Sequence, residues 1–208
     1  MVYGRSVNQR VLDFVHSGKL WNDSLVLEDR QTGSLWAQPS GRSIRGDLEG
    51  NALEPVVSEM TTWGDWKERH PDTLALPWKG RRKLKHVLYP RAPHMLGMLG
   101  TENPDPRLPG KTLVAGFAAG DDPDAVAVAL PGGGGRRVAR LRWGHREIVV
   151  EHQGSTGSTR AWLSSGPPDW ARNEEIPAST MYWFVWAGLH PDSRIADGEW
   201  RQATFPPR

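Results

Sequence analysis

An eleven-residue segment occurs twice in this chain, without a gap and at a constant offset of 120 positions. Trp63-x-x-Trp66-x-x-x-His70-Pro71-Asp72-Thr73 returns as Trp183-x-x-Trp186-x-x-x-His190-Pro191-Asp192-Ser193. Tryptophan is scarce in most sequences, so its paired recurrence points to a copied unit and not to chance. A fainter echo lies upstream, where Thr32-Gly33-Ser34 and Trp36 resemble Thr156-Gly157-Ser158 and Trp162. Two copies predict two pseudo-symmetric halves.

The repeated segment has its own local logic. Thr62 is a good helix N-cap, and Asp65 three residues on approaches a capping box. Trp63 and Trp66 stand at i and i+3, on one face, and are expected to press a large apolar surface against a sheet. Pro71 disfavours helical geometry at His70, so the helix should end there. The histidine can serve the last helix carbonyls, and the aspartate after the proline can accept from the turn.

Around these helices the pattern is of short strands. Val11–Val15, Leu25–Leu27 and Ser34–Gln38 alternate with turn signals at Ser17-Gly18, at Asp29–Gly33 and at Pro39–Gly41. Leu74–Leu76 reads as a further strand. In the second half, Lys111–Ala118, Ala125–Leu130, Val138–Trp143, Glu147–His152 and Thr159–Ser164 are strand-like. Ala125–Leu130 alternates strictly, with Val126, Val128 and Leu130 on one face. Thr180–His190 is apolar nearly all round and predicts a buried short helix. The fold expected is mostly β with short helices. It has two halves of antiparallel strands, each with a Trp-bearing helix ending in His-Pro-Asp. The divisions are a first β repeat over 1–80, an irregular Pro-rich connector over 81–110, and a second β repeat over 111–208. The 23 glycines and 17 prolines fit a chain of many turns.

The chain has no cysteine, which removes disulfides, thiolate ligands and cysteine nucleophiles together. No apolar run approaches the length of a membrane-spanning helix, so the chain reads as soluble. No leader follows Met1, and the cytoplasm is the default compartment. The 26 Lys and Arg against 24 Asp and Glu are too even to imply a nucleic-acid partner. The basic clusters Lys79–His86 and Arg136–Arg146 leave that reading only as a third choice.

Val11-Leu12-x-Phe14-x-x-Ser17-Gly18-x-Leu20-x-Asn22 is followed by Leu25-Val26-x-x-Asp29-Arg30-x-Thr32-x-Ser34-x-Trp36-x-Gln38, then by Gly41, Ile44 and Gly46. With the first Trp and His-Pro-Asp segment, these residues resemble a bacterial and archaeal family of unknown function, number 3179. The resemblance is specific over residues 11 to 76. Over 111 to 195 it rests mainly on the second Trp and His-Pro-Asp segment. Members usually carry a Cys-Pro-Leu-Cys segment upstream of the part matched here. That segment is absent from this chain, so no thiol, redox or metal role is carried over. Many relatives look exported, and the family implies no established activity.

Catalytic signatures are missing. The seven histidines form neither His-x-His nor His-Glu-x-x-His, and no Gly-x-Ser-x-Gly elbow is present. Gly132–Gly135 lacks the Lys-Ser/Thr ending of a phosphate loop, and neither His-Pro-Asp copy has the basic helical hairpin of a J-domain. No cofactor and no metal are expected. Eleven tryptophans with abundant arginine suit a protein-binding surface. The first expectation is therefore a non-enzymatic binding or accessory protein whose partner is another protein, with a subunit of a larger assembly as one form of it. The binding candidates are His70, Asp72, His190, Asp192, Arg30 and Trp36. An enzyme or metal-binding protein with a site between the halves, using the two histidines and two aspartates, is the alternative.

Overall fold

The computed structural model describes residues 1–76, 89, 96–97, 105–118, 124–164 and 174–203. Turn chemistry sets the register of the first sheet. Strands β4 (Phe14–Trp21) and β5 (Ser24–Asp29) are joined by Asn22-Asp23, with φ of 46° and 55°. Left-handed geometry at both central residues matches the strand twist, and Asn and Asp tolerate it. β6 (Leu35–Ala37) and β7 (Arg42–Arg45) complete an antiparallel meander in the order β4-β5-β6-β7. Two smaller pairs flank it. β1 (Val2–Tyr3) pairs with β8 (Pro55–Val56), and β2 (Ser6–Val7) pairs with β3 (Arg10–Val11). Val7, Leu12, Trp36 and Leu53 form the core beneath them.

Ser17-Gly18, expected as a turn, lies inside β4. Gly18 takes φ of 74° where the register shifts between His16 and Leu20, and Ser17 Oγ donates to the Val26 carbonyl. The glycine thus makes a bulge that lets the strand run on to Trp21.

The second half is a sandwich of two sheets and a helix. Strands β9 (Leu113–Phe117), β10 (Val126–Ala129), β15 (Ser179–Tyr182) and β16 (Arg194–Ile195) form one sheet in the order β15-β9-β10-β16. Strands β11 (Arg136–Trp143), β12 (Arg146–Gln153), β13 (Ser158–Ser164), β14 (Glu175–Ile176) and β17 (Arg201–Gln202) form the other, in the order β14-β13-β12-β11-β17. Ala115, Phe117, Val126 and Val128 pack on Leu141, Ile148, Val150 and Ala161. The opposite face presents Val114, Ala125 and Ala127 to Trp183, Trp186 and Ala187 of the second helix, α2 (Trp183–Leu189). The alternation of Ala125–Leu130 is thus used in full, large side chains toward the sheet and small ones toward the helix.

Two expectations need correction. The stretch Thr180–His190 is not helical throughout, because Ser179–Tyr182 first pairs with β9 and the helix begins only at Trp183. Leu74–Leu76 is not a strand. It has no strand partner among the described residues, and an extended segment without one is not a ladder. Among the described residues, no sheet mixes strands from residues 2–56 with strands from residues 113–202. No helix is long and apolar enough to cross a membrane.

Candidate functional site: two matched helical turns in unlike surroundings

The two copies of the repeated segment have closely similar local geometry. Helix α1 (Trp63–Arg69) starts from Thr62 at φ −74°, ψ 150°, and α2 starts from Tyr182 at φ −71°, ψ 147°. They end at His70 (φ −134°, ψ 70°) and His190 (φ −133°, ψ 69°). Each of these histidines donates its backbone N–H to the tryptophan carbonyl four residues earlier, at 2.8 Å in both. Each imidazole lies against that same indole, with centroids 4.2 Å apart at Trp66–His70 and 4.3 Å at Trp186–His190.

The last motif position now has a role. Trp66 Nε1 donates to Thr73 Oγ1 at 3.0 Å, and Trp186 Nε1 donates to Ser193 Oγ at 2.9 Å. The Thr and Ser backbone N–H groups close the turn on the histidine carbonyls. A half-buried or buried indole N–H needs an acceptor, and a hydroxyl seven residues on supplies it. This explains the Thr/Ser match. The aspartate expected to hold the turn does not do so, since the N–H of Thr73 or Ser193 reaches the histidine carbonyl instead.

Surroundings separate the copies. Trp183 is 0% exposed and Trp186 1%, whereas Trp63 is 52% exposed and α1 buries no residue at all. The expectation that Trp63 and Trp66 press on a sheet therefore holds only for their counterparts. Around Trp63 the chain leaves Met60 64%, Leu74 96% and Leu76 95% exposed. Lys67 Nζ stands 5.9 Å from the Trp63 ring centroid, the one cation near it among the described residues. Met60, Trp63, Leu74 and Leu76 are exposed apolar residues of this segment that sequence reasoning missed. The sequence reads Leu74–Leu76 as a strand, and that reading hides their exposure.

The second copy is held from above by Arg107, whose guanidinium donates to the carbonyls of Ser193 and Pro191 and lies over Trp183. Trp183 Nε1 donates to the Asp105 carbonyl at 2.8 Å. Asp105 is held below its ordinary value by the Arg107 side chain.

The remaining candidates lie elsewhere. Trp36 is 1% exposed, and its Nε1 donates to Asp29 Oδ2 at 2.9 Å. Asp29 is fully buried and also accepts from the N–H and hydroxyl of Thr32. Burial alone would push its carboxyl up, but the donors of Trp36, Thr32 and Ser34 together hold it below its ordinary value. Ser34 Oγ shares a proton with Thr32 and accepts from the Leu48 N–H. The Asp-Arg-x-Thr-x-Ser-x-Trp stretch is thus a buried polar brace for the hairpin loop. Arg30, within it, is exposed and donates its backbone N–H to the Asp13 carbonyl. Asp72 and Asp192 are exposed. His70 packs on Trp66 and His190 on Trp186, each within its own segment.

Contacts between the halves are made by other residues. Asn22 Nδ2 donates to the Gly188 carbonyl at the end of α2, at 2.9 Å. Ser158 Oγ donates to Glu59 Oε2 at 2.7 Å, while the other Glu59 oxygen accepts from Arg69. Among the described residues, no three His, Asp or Glu side chains cluster as metal ligands would. Three arginines of the five-stranded sheet are committed to carboxylates. Arg136 pairs with Glu151, Arg140 with Glu147 and Arg160 with Glu175, at 2.6 to 3.2 Å. The basic cluster Lys79–His86 lies outside the described residues, as do Trp78 and Trp170.

No curated protein and no solved structure is significantly similar to this chain. A family model described as "protein of unknown function (DUF3179)" matches residues 1–193, and the chain therefore belongs to that family.

Proposed function

We propose that this chain is a non-enzymatic binding protein that docks another protein through the face built by Met60, Trp63, Leu74 and Leu76. The observation that carries this reading is the contrast between Trp63, 52% exposed, and Trp183, 0% exposed, in segments of the same local geometry. Exposed large apolar side chains that include a tryptophan are the usual composition of a binding hot spot. The catalytic alternative has weaker support, since each motif histidine is engaged with its own indole. We further infer that the two segments descend from one duplicated unit. The near-identical dihedral angles at both helix ends support it.

The test compares the tagged full chain with Trp63→Asp in a pull-down followed by native mass measurement. A partner retained by the parent chain and lost by the variant supports the reading. A lone monomer in both preparations refutes it.

A further inference from the structure

The exposed face of the first copy can be read against its buried counterpart, position by position. Residues 179–182, 183–189 and 194–195 of the second copy correspond at the same offset to 59–62, 63–69 and 74–75 of the first. In the second copy two strands stand between these pieces. β9 pairs antiparallel with β15, through Ser179↔Gly116, Thr180↔Ala115, Met181↔Val114 and Tyr182↔Leu113. β10 pairs parallel with β16, through Val126↔Arg194 and Ala127↔Ile195. The segment leading into β9 also serves the helix start, because Trp183 N–H donates to the Thr112 carbonyl and Phe184 N–H to the Gly110 carbonyl. In the first copy, residues 57–62 and 73–76 carry no strand, and the positions equivalent to β15 and β16 hold the exposed Met60 and Leu74.

We infer that the first copy binds an extended two-stranded segment of a partner protein, which adds to residues 59–62 on one side and 74–76 on the other. The inference rests on the binding reading above and names its ligand class. Among the described residues, 59–61 and 74–76 make no backbone–backbone hydrogen bond, which leaves donors and acceptors for a ladder, and the side chains supply selectivity, as in strand addition to a sheet edge. The second copy defines those side chains. A Cβ at Gly116 would lie 2.1 Å from Trp186 Cζ3, so the strand crossing the inner indole must carry glycine there. The rest of the face toward α2 is Val114, Ala125 and Ala127. The ligand is accordingly a hairpin with a Val-x-Gly strand and an Ala-x-Ala strand facing Trp63 and Trp66. Larger residues at these positions would collide with the indoles.

The experiment adds a synthetic peptide with the sequence of residues 111–130 to the full-length chain. Saturable binding is expected, with slowed amide exchange confined to residues 59–62 and 74–76 and lost in Trp63→Asp. The same peptide carrying leucine at the position of Gly116 should bind at least about tenfold more weakly, because the added side chain overpacks against the indole. Equal binding of the two peptides, or protection elsewhere, overturns the inference. Failure of the peptide to bind, while Trp63 still governs partner retention in the pull-down, overturns the strand inference and leaves the binding reading standing. Loss of both overturns both. A Trp63-dependent dimer of the chain alone would make a second copy the occupant and also overturn the inference.

Discussion

Replacing the same motif tryptophan in each copy separates local geometry from packing. Trp183→Ala deletes a fully buried side chain packed on Val114, Ala125 and Ala127 and hydrogen-bonded to the Asp105 carbonyl. Truncating a buried Trp to Ala costs about 3–5 kcal/mol, the removed area plus the cavity left behind. The lost indole N–H also leaves the Asp105 carbonyl short of a donor, which favours the upper end. Trp63→Ala removes a side chain that is 52% exposed and makes one cation–π approach, from Lys67 at 5.9 Å. That contact at an exposed site is worth about 0.5–1 kcal/mol, and the covered half of the side chain adds about 1 kcal/mol more, so the total loss should be about 1–2.5 kcal/mol. For a chain of this size 1 kcal/mol shifts Tm by about 2–4 °C. Trp183→Ala should then lower Tm by about 6–20 °C, and Trp63→Ala by about 2–10 °C and by less than half as much as Trp183→Ala. Thermal unfolding followed by far-UV circular dichroism reads both, since the remaining tryptophans complicate fluorescence. If Trp63→Ala costs as much as Trp183→Ala, Trp63 is covered in the isolated protein. The exposed docking face would then not exist.

Two further predictions use glycine and pH. Gly116→Val places a side chain inside the Trp186 ring, which is pinned by Ser193, and should cost about 1–3 kcal/mol or more in urea unfolding. Gly64→Ala, in α1 with nothing near its added methyl, should instead stabilise by up to about 1 kcal/mol; equal effects would refute the packing described. The stability of the chain should fall in two stages on acidification. Burial holds His152 below its ordinary value, so the unfolded chain takes up that proton first, and stability present above about pH 6.5 is lost as pH falls below it. Asp29, also depressed when folded, contributes stability that is full above about pH 4 and lost as pH falls through its folded value. His152→Gln should remove the first stage, and Asp29→Asn should shrink the second, to which Asp65 and Asp105, held low by the Arg69 and Arg107 side chains, also contribute. Urea midpoints between pH 7.5 and 3 measure both, and an unchanged slope between pH 7 and 5 in His152→Gln would overturn the assignment.

How much of this could be read from residues alone depended on the range of the interaction. Helix limits were legible because Thr62, His70 and Pro71 act within one turn. The alternation of Ala125–Leu130 was legible because a strand with two buried faces must sort its side chains by size. Gly18 was misread because glycine serves a turn and a bulge equally well. Only the continuation of pairing to Trp21↔Ser24 decides between them. Trp36 was offered as a binding residue because Trp near Arg suits a surface. Its donation to a buried carboxylate seven residues earlier depends on a hairpin closing first.

The repeat shows the same limit most directly. Eleven positions specify the helical turn, the stacked imidazole and the indole-to-hydroxyl hydrogen bond, and they do so whether the tryptophan is buried or exposed. These interactions close within seven residues, so they need no partner element. What the segment cannot encode is the strand pair that covers it, which in the second copy comes from Leu113–Phe117 and Val126–Ala129. A local code that stays folded without its cover is what a docking site requires. In the docking proposed above, its ordering cost would be met before the ligand arrives, and only the ligand's own ordering would be left to offset on binding.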